Sequence, residues 1–272
     1  MIVGHVTRDV VPGGFTVGGA ATYAGRMARS LGERVGVVTS ASDDFDFQAA
    51  LPGVEVVRVP AAETSTFENR YVGDTRIQYV RAVAAPLDAS AVPAAWRSAE
   101  IAYLAPLTNE VAPGVESAFP KSMVAAGPQG WLRRWGADGL VELDGWATLV
   151  ERLARLDAVI LSEDDVQRDE ATIDMLRRRV PMLVVTRSSK GGTLFRHGEP
   201  VRYPAFPAKE VDPTGAGDAF AAAFLIHLRE SRDPIAACLF ASCAASFVVE
   251  AAGADGIPTP EQISRRLAAG PK

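Results

Sequence analysis

One ten-residue stretch, VDPTGAGDAF at Val211–Phe220, constrains this chain more than any other. Its Asp-Pro pair favours a turn, and the run AFAAAFLIHL that follows is typical of a helix. Gly215, Ala216 and Gly217 would then lie at a helix N-terminus, where unpaired N–H groups and the helix dipole bind an anion. Asp218 suits such a site only if it takes a proton from the group that attacks a phosphate. The alternative is a glycine-rich helix start with a capping carboxylate.

Composition narrows the class of protein. The chain has 272 residues, 48% of them hydrophobic and 22% charged, which fits one large domain, or one domain with a subdomain. The net charge of -5 leaves no basic footprint for nucleic acid, and no polybasic cluster indicates a membrane surface. We therefore expect neither nucleic acid nor a membrane as a partner.

Cysteine usage and the N-terminal sequence bear on location. Cys238 and Cys243 lie five residues apart in one apolar helical run, which favours buried thiols over a disulfide framework. The first residues, MIVGHVTRDVV, lack the basic region and long apolar core of a signal peptide. No apolar run is long and charge-free enough to span a bilayer. The expectation is a cytoplasmic protein.

Short apolar runs alternate with helical patterns along most of the chain. Such runs are typical of strands buried on both faces, and they occur at Met1–Val6, Arg34–Thr39, Ile101–Leu107, Ser122–Ala126, Ala158–Ser162 and Met182–Thr186. Helical spacing of apolar residues occurs at Trp146–Leu156, Ala171–Val180, Ala219–Glu230, Pro234–Glu250 and Pro260–Ala268. The pattern predicts an α/β fold, a mainly parallel sheet flanked by helices on both faces, over residues 1–272.

One region breaks this alternation. Val54–Pro60, Ser65–Val72 and Arg76–Ala82 are β-rich and have no helices between them, and Gly73-Asp74 is a hairpin turn signal. We expect a small β-sheet lid at about residues 54–83, above a site. The alternative is a decorative or dimerising set of hairpins. An exposed edge of this sheet would be a surface for a homodimer.

Two features near the N-terminus lie where ligands bind in open α/β sheets. Asp9 would lie at or just beyond the end of the first strand. Gly18-Gly19 precedes a helical run, as expected where backbone approaches a ligand closely. The alternatives are a turn or cap residue for Asp9 and a simple tight turn for the glycines. No GxGxxG stands here, so a dinucleotide fingerprint is absent.

Taken in order, these features resemble the ribokinase-like (PfkB) carbohydrate kinase family over essentially the whole chain. The late motif, Asp212 to Asp218, resembles the signature of that family. The resemblance implies that Asp218 is the catalytic base and that Gly215, Ala216 and Gly217 form the anion hole. It also implies that Asp9, Gly18 and Gly19 hold substrate hydroxyls, and that the β-rich insertion is the lid.

Within that family the chain is most similar to myo-inositol kinases. The stretches GGAA from Gly18, PQGWLR from Pro128 and AKEVDP from Ala208 carry this resemblance. It implies that Gln129 and Arg133 contact a cyclitol. The alternative is that both are surface polar residues following a strand. Four polar residues of the lid, Thr66, Asn69, Gln78 and Arg81, would reach a substrate only if they face inward, and that depends on strand register.

The resemblance further implies ATP and Mg²⁺ as cofactors, with a monovalent cation near Asp212 and Thr214 as in some relatives. The positions it assigns to nucleotide binding are Asp165, Thr186, Lys190, Gly191, Thr214, Gly215, Gly217, Ser242, Gly253 and Ala254. Asp165 would hold Mg²⁺ through water, although it and Ser162 depart from the Asn-x-x-Glu pattern of the family, and an N-cap is the alternative. Ser188 replaces a family glycine, where a positive φ would be uncomfortable.

The leading hypothesis is an ATP-dependent kinase for a hydroxyl of a small polyol: a sugar, a cyclitol such as myo-inositol, or a nucleoside or ketose. Phosphoryl transfer needs positioning, charge neutralisation and a base, all of which these residues can supply. A catalytically impaired sugar- or nucleoside-binding regulatory protein on the same fold is the alternative. A Rossmann dinucleotide enzyme is disfavoured because its fingerprint is missing.

Overall fold

The computed structural model describes residues 1–73, 75–144 and 149–271. Its strands, in chain order, are β1 (Ile2–Val3), β2 (Thr7–Val11), β3 (Gly14–Gly18), β4 (Gly36–Ala41), β5 (Glu55–Pro60), β6 (Thr66–Val72), β7 (Thr75–Ala82), β8 (Ile101–Leu104), β9 (Met123–Ala126), β10 (Arg133–Trp135), β11 (Val141–Leu143), β12 (Ala158–Ser162), β13 (Met182–Thr186), β14 (Gly192–Arg196) and β15 (Glu199–Tyr203). Its helices are α1 (Ala20–Ser30), α2 (Phe47–Ala50), α3 (Val150–Leu153), α4 (Glu170–Arg177), α5 (Ala216–Ser231), α6 (Pro234–Val248) and α7 (Pro260–Ala269).

Nine strands form one large sheet in the order β15-β14-β13-β12-β9-β8-β1-β4-β5. All pairs from β13 to β5 are parallel, and the β13-β14-β15 edge is antiparallel. Alternate residues of β12 pack into different apolar clusters: Ile160 packs with α1, α5 and α6, whereas Val159 and Leu161 pack with α3 and α4. Both faces of the sheet are therefore covered, and the predicted fold class is confirmed.

A second sheet has four strands in the order β3-β2-β6-β7. The hairpin of β6 and β7 is present as predicted, with Asn69 opposite Gln78, whereas Asp74 of the predicted turn lies outside the described residues. Likewise, residues 145–148 of the predicted helix Trp146–Leu156 lie outside the described part, and α3 covers Val150–Leu153.

The predicted lid boundary of 54–83 needs correction at its start. β5 pairs in parallel with β4 in the large sheet, because residues 42–54, with the single helical turn α2, form a short crossover between them. That crossover is too short to have a visible helical pattern in the sequence. In its place, β2 and β3 supply half of the small sheet, joined by a tight turn with Gly13 at φ 85°.

The same hairpin corrects the placement of Asp9. The expected strand Met1–Val6 stops at Val3, and Thr7 begins a new strand in the small sheet. Asp9 thus lies inside β2, opposite Thr16 of β3, and not in a turn beyond the first strand. Within the described residues, no helix is long and apolar enough to cross a membrane.

Candidate active site

The turn before α5 is held in place by one carboxylate. Asp212 Oδ1 accepts a hydrogen bond from Thr214 N at 2.9 Å, and its Oδ2 accepts one from Gly253 N at 3.2 Å. Gly215 then adopts a left-handed conformation (φ 75°) as the N-cap of α5. The predicted loop around Gly253 and Ala254 therefore lies against the predicted phosphate turn. The suggested monovalent-cation site near Thr214 stays a prediction.

The first turn of α5 presents free backbone donors. Ala216 N donates to Pro213 O at 3.3 Å, but in the described part of the chain the amides of Gly215, Gly217 and Asp218 have no acceptor. A Cβ on Gly217 would meet no atom within 4 Å, so the space beside it is open. Unpaired amides at the positive end of a helix dipole, next to open space, suit an anion.

Asp218 lies in this first turn, and its pKa is raised above the ordinary value of an aspartate. Burial raises its pKa from 3.8 to about 7, and the negative charge of Asp165 adds to the increase, whereas Arg133 opposes it. The side chain is partly buried in the fold. A carboxylate with a pKa near 7 is a group that can both accept and release a proton at neutral pH.

Asp165 forms the other carboxylate of the site. Its Oδ2 accepts a hydrogen bond from Ser162 N at 2.8 Å, and Ser162 Oγ accepts one from Asp164 N, so the capping arrangement considered from the sequence is present. Its Oδ1 accepts a hydrogen bond from Gln129 Nε2 at 2.6 Å. Gln129, assigned to the cyclitol by resemblance, therefore contacts Asp165 in this structure.

The carboxylates offer limited support for Mg²⁺. Across the described residues, no cluster of three or more His, Cys, Asp or Glu side chains could hold a metal ion. Mg²⁺ bound with a nucleotide typically uses one or two carboxylates, several waters and the phosphates, and needs no protein cage. Asp165 beside Asp218 fits that requirement, with Asp165 as the residue that would hold the ion.

The glycine pair before α1 has a packing explanation. A Cβ on Gly18 would lie within 3.0 Å of the Asp9 carboxylate and of Thr7 Oγ1. Gly19 has φ 96°, and a Cβ built on it would lie 2.6 Å from His5 O and 2.8 Å from Thr7 N, so a side chain would not fit there. These glycines let the chain from β1 into β2 cross the start of α1. A contact between Gly18 or Gly19 and a substrate stays a prediction.

Strand register determines which side chains of the small sheet share the face of Asp9. Asp9 aligns with Phe67, which lies opposite Val80, and Asn69 lies opposite Gln78 on the same face. The Asn69 and Gln78 amides hydrogen-bond each other at 3.0 Å. The Arg133 guanidinium lies 6.0 Å from the centre of the Phe67 ring, so this face is turned toward the residues around Asp218.

The other two candidate lid residues have different surroundings. Arg81 lies on the opposite face of β7, where it forms an ion pair of 2.6 Å with Glu68 and stacks on Tyr79. Thr66 is buried and its hydroxyl donates to Thr64 O at 2.8 Å. Of the four candidates, only Asn69 and Gln78 therefore share a face with Asp9.

The predicted nucleotide segment follows β13. Ser188 has φ 47°, the left-handed conformation that the glycine of the family pattern would adopt without strain. Gly191 (φ 78°) packs so closely on Tyr203 O that a side chain would not fit, and Lys190 is exposed. Thr186, the last residue of β13, is half-buried beside this loop.

Two contacts of this region were not expected. Arg187 pairs with Glu163 at 3.0 Å, which joins the turn after β13 to the turn after β12. Ser242, assigned to the adenine site by resemblance, is buried and donates its hydroxyl to Pro204 O at 3.1 Å. Its hydrogen bond therefore connects α6 to the end of β15.

Two buried tyrosines at the site were also missed from the sequence. The pKa of Tyr103 on β8 is raised by burial and by the charges of Asp218 and Asp165. Tyr23 on α1 packs its ring against Gly215. Tyr103 stood within an apolar run that indicated only a buried strand. Tyr23 lies one helical turn after the glycine pair, and that spacing was the available signal.

Comparison with known proteins shows that this chain is similar in sequence to several kinases. The model of the pfkB family of carbohydrate kinases matches residues 154–262. A nucleoside kinase of Methanocaldococcus jannaschii is 38% identical over 97 residues, which are 35% of this chain and 32% of that protein. The ribokinase of Bacillus subtilis is 41% identical over 86 residues, 31% of this chain and 29% of that protein. The chain thus aligns with about a third of the length of these two relatives. A cytidine kinase of Thermococcus kodakarensis is 27% identical over 88% of this chain and 91% of its own.

Solved structures extend the likeness to the whole chain. A pyrophosphate-dependent kinase in the ribokinase family, complexed with a pyrophosphate analogue and myo-inositol, has a TM-score of 0.80 at 24% identity and covers 97% of this chain and 98% of its own. The ribokinase of Thermotoga maritima has a TM-score of 0.75 at 21% identity and covers 98% of this chain and 99% of its own. The Arabidopsis thaliana ribokinase complexed with ribose and ATP has a TM-score of 0.74 at 20% identity, with 98% of both chains covered. Residues 154–262 therefore match the PfkB family of carbohydrate kinases, and the chain has the ribokinase fold.

Proposed function

We propose that the protein transfers a phosphoryl group from ATP, with Mg²⁺, to a hydroxyl of a small polyol. One observation carries this proposal: Asp218, with a pKa near 7, lies beside the unpaired amides of Gly215 and Gly217 at the start of α5. A base next to an anion-binding turn is the combination that transfer of a phosphoryl group to a hydroxyl requires.

In this proposal each group has one task. Asp218 accepts the proton of the attacking hydroxyl, and the amides of Gly215, Gly217 and Asp218 donate to the oxygens of the moving phosphoryl group. The amide of Ala216 is engaged with Pro213 O and contributes less than the sequence suggested. Bound Mg²⁺ would neutralise phosphate charge, with Asp165 as the residue that would hold it, through water.

The acceptor would lie between this turn and the small sheet, which acts as the lid. Asp9, Asn69 and Gln78 offer hydrogen-bonding groups on the face that carries Phe67, and Arg133 reaches that face. Hydroxyl-rich, uncharged molecules match such a lining. myo-Inositol is our first acceptor, a choice supported by the structural neighbour that holds it. Gln129 completes the rim beside Asp165.

A nucleoside acceptor is the second candidate. A cytidine kinase aligns over 88% of this chain, and a nucleoside kinase is also among the relatives it resembles. The predicted donor positions around Thr186, Lys190, Gly191, Ser242, Gly253 and Ala254 stay the same under either acceptor. The pyrophosphate-dependent neighbour makes pyrophosphate a second donor for the assay.

The test is a transfer assay over a panel of acceptors. ATP or pyrophosphate, each with Mg²⁺, is mixed with myo-inositol, ribose, fructose and cytidine, and the phosphorylated product is measured by mass spectrometry. We expect one acceptor class to be phosphorylated by ATP. Asp233→Asn is the matched control, because Asp233 caps α6 as an exposed residue and should leave turnover unchanged. No product from any donor and acceptor would contradict the proposal, and product from cytidine alone would favour the second candidate.

We also propose that two copies of the chain associate through the lid. β3 forms an edge of the four-stranded sheet, and Phe15 on it is 59% exposed, next to exposed Val10 on β2. Light scattering should give twice the mass of the chain for the wild type and the monomer mass for Phe15→Glu. Equal masses for both would contradict a dimer through this edge.

A further inference from the structure

We propose that Tyr23 is a positioning residue: its ring forms the floor under Gly215 and holds the phosphate turn in line with the segment around Asp9. This inference rests on the proposed kinase function. It concerns a residue that neither the sequence pattern nor the proposed chemistry has used.

The contact between Tyr23 and Gly215 is the first observation. A Cβ built on Gly215 would lie well under 3.0 Å from three carbons of the Tyr23 ring, so the ring occupies the space where a side chain would be. Tyr23 is 2% exposed. Gly215 also has φ 75°, which residues other than glycine adopt with strain. The turn therefore rests directly on the ring, with no room for adjustment toward it.

The second observation is how firmly Tyr23 itself is placed. Tyr23 N donates to Gly19 O at 3.2 Å in the first turn of α1, and Thr22 Oγ1 donates to Gly18 O at 2.7 Å. Gly19 in turn packs against His5 O and Thr7 N, which lead into β2. A continuous packed path thus runs from β2 through Gly19 and Tyr23 to Gly215.

The surrounding charges agree with this position. Burial and the carboxylates of Asp212, Asp9 and Asp218 raise the pKa of Tyr23 well above its ordinary value, so the phenol stays neutral at working pH. These three carboxylates belong to the phosphate turn, to the lid and to α5. Tyr23 is therefore a rigid, uncharged group among the elements that must be aligned for in-line transfer.

The consequence is that ring shape matters more than the hydroxyl. Tyr23→Phe keeps the ring under Gly215 and should keep kcat within about threefold of wild type. Tyr23→Leu removes the floor, so the free amides of the turn lose their position. A misplacement of about 1 Å can lower a rate by on the order of a hundredfold. We expect a loss of at least tenfold in kcat, with KM for donor and acceptor within about threefold of wild type.

The experiment compares Tyr23→Phe, Tyr23→Leu and Met27→Ala in the transfer assay, together with thermal unfolding. Met27 is fully buried one turn further along α1, so Met27→Ala reports the cost of a smaller side chain in this helix without touching Gly215. It should lower the midpoint of unfolding and leave kcat unchanged. A folded Tyr23→Leu protein with wild-type kcat, or an equal loss in Tyr23→Phe, would overturn the inference while leaving the kinase function intact.

Gly215→Ala is a further variant for the transfer assay, and its result does not depend on whether a Tyr23 variant folds. The added methyl group collides with the ring, so we expect at least a tenfold loss in kcat, and the loss in Tyr23→Leu/Gly215→Ala should be smaller than the product of the two single losses. A folded Gly215→Ala protein with wild-type kcat, or multiplicative losses, would overturn the inference. Absence of transfer in the wild type would instead remove the proposed function, and this inference with it.

Discussion

Asp218 combines two features that oppose each other: it lies at a helix N-terminus, which favours its ionised form, and yet its pKa is raised to about 7. The reason is that loss of solvation on burial and the nearby charge of Asp165 outweigh the dipole and the charge of Arg133. The proton affinity that results suits a base that works at neutral pH.

The direct consequence concerns Asp218→Asn. A general base typically contributes roughly 10²–10⁴-fold to a rate. We expect the variant to fold as the wild type does and to lose kcat by that factor, with small changes in KM. Circular dichroism and steady-state kinetics check both expectations, and Asp233→Asn serves again as the control.

The same group predicts a stability effect of definite sign. The folded pKa of Asp218 lies above its unfolded value near 3.8, so protonation of this group stabilises the folded protein. That stabilisation is complete at pH values below about 3.8 and is lost as the pH rises through about 7. Asn has no such proton to lose. One pKa unit is about 1.4 kcal/mol, and partial solvent access reduces the total. Asp218→Asn should therefore be more stable than the wild type at pH 8, by roughly 2 kcal/mol.

Urea unfolding at pH 4 and pH 8 measures this difference. At pH 4 the folded protein still holds almost all of this proton and the unfolded protein about half of it, so most of the penalty seen at pH 8 has not yet developed and the two proteins should be close in stability. An advantage for Asp218→Asn that was the same at both pH values would show that the pKa is not raised by folding.

The neighbours of Asp218 should move its titration in opposite directions. The rate kcat/KM should rise with pH and level off above about pH 8, because the ionised carboxylate is the active form. Asp165→Asn removes a negative charge and should lower the apparent pKa of this profile, whereas Arg133→Gln should raise it. Shifts of the same sign in both variants would contradict the arrangement of charges.

At this scale the sequence predicted what is local. The turn, the three small residues and Asp218 follow one another in the chain, so their arrangement could be anticipated from spacing and helix chemistry alone. The contacts of Gln129 and Gly215 could not be anticipated, because their partners come from distant parts of the chain. Gln129 meets Asp165 only when β9 lies beside β12, and Gly215 meets Tyr23 only when α1 packs on α5.

At the scale of elements, a buried polar cluster joins the two sheets. His5, which is 0% exposed, lies between β1 and β2, with Nδ1 2.7 Å from Ser65 Oγ and Nε2 2.9 Å from Ala85 O. Ser65 precedes β6 and Ala85 follows β7, so one ring contacts all three connections. Glu110 Oε1 accepts a hydrogen bond from His5 N at 3.0 Å and fixes this hinge to the loop after β8.

This cluster yields a prediction about the lid. Ser65→Ala leaves Ala84 N without its hydrogen-bond acceptor and leaves His5 Nδ1 with only the longer contact to Thr108 Oγ1 at 3.4 Å. An unpaired buried donor costs about 1–3 kcal/mol of folding free energy. If the lid covers the acceptor, a looser hinge should raise KM for the acceptor more than KM for ATP. Steady-state kinetics with each substrate varied gives both values.

Glu68→Gln provides the control for this prediction. Glu68 lies on the outer face of the small sheet, where it pairs with Arg70 and Arg81, so its loss should change neither KM. An equal rise of both KM values in Ser65→Ala would indicate a general loss of stability and would contradict a hinge that acts on the acceptor side.

Strands were predicted well where a local pattern and a turn signal define their pairing, and less well where a strand could pair in either of the two sheets. The hairpin of β6 and β7 was correct because a turn signal stands between two alternating runs. β5 was assigned to the wrong sheet, since its own residues suit either position and the choice depends on the short crossover through α2.

At the scale of the whole molecule, function follows from the way two sheets meet. Asp218 at the start of α5 lies near Asp165, which follows β12, and near Arg133, whose guanidinium faces the Phe67 ring of the small sheet. The parallel order of the large sheet was predictable, because strands buried on both faces alternate with helices along the chain. Which face of the small sheet carries Asp9, Asn69 and Gln78 could not be predicted, since that depends on strand register.

The most direct test of the central claim is transfer of radiolabelled phosphoryl from [γ-³²P]ATP to the best acceptor of the panel, in a single turnover at pH 7.5, by the wild type and by Asp218→Asn. We expect label in the phosphorylated acceptor with the wild type, and a rate lower by roughly 10²–10⁴-fold with the folded variant. Label that reaches the acceptor equally fast in both proteins would contradict the assignment of Asp218 as the base.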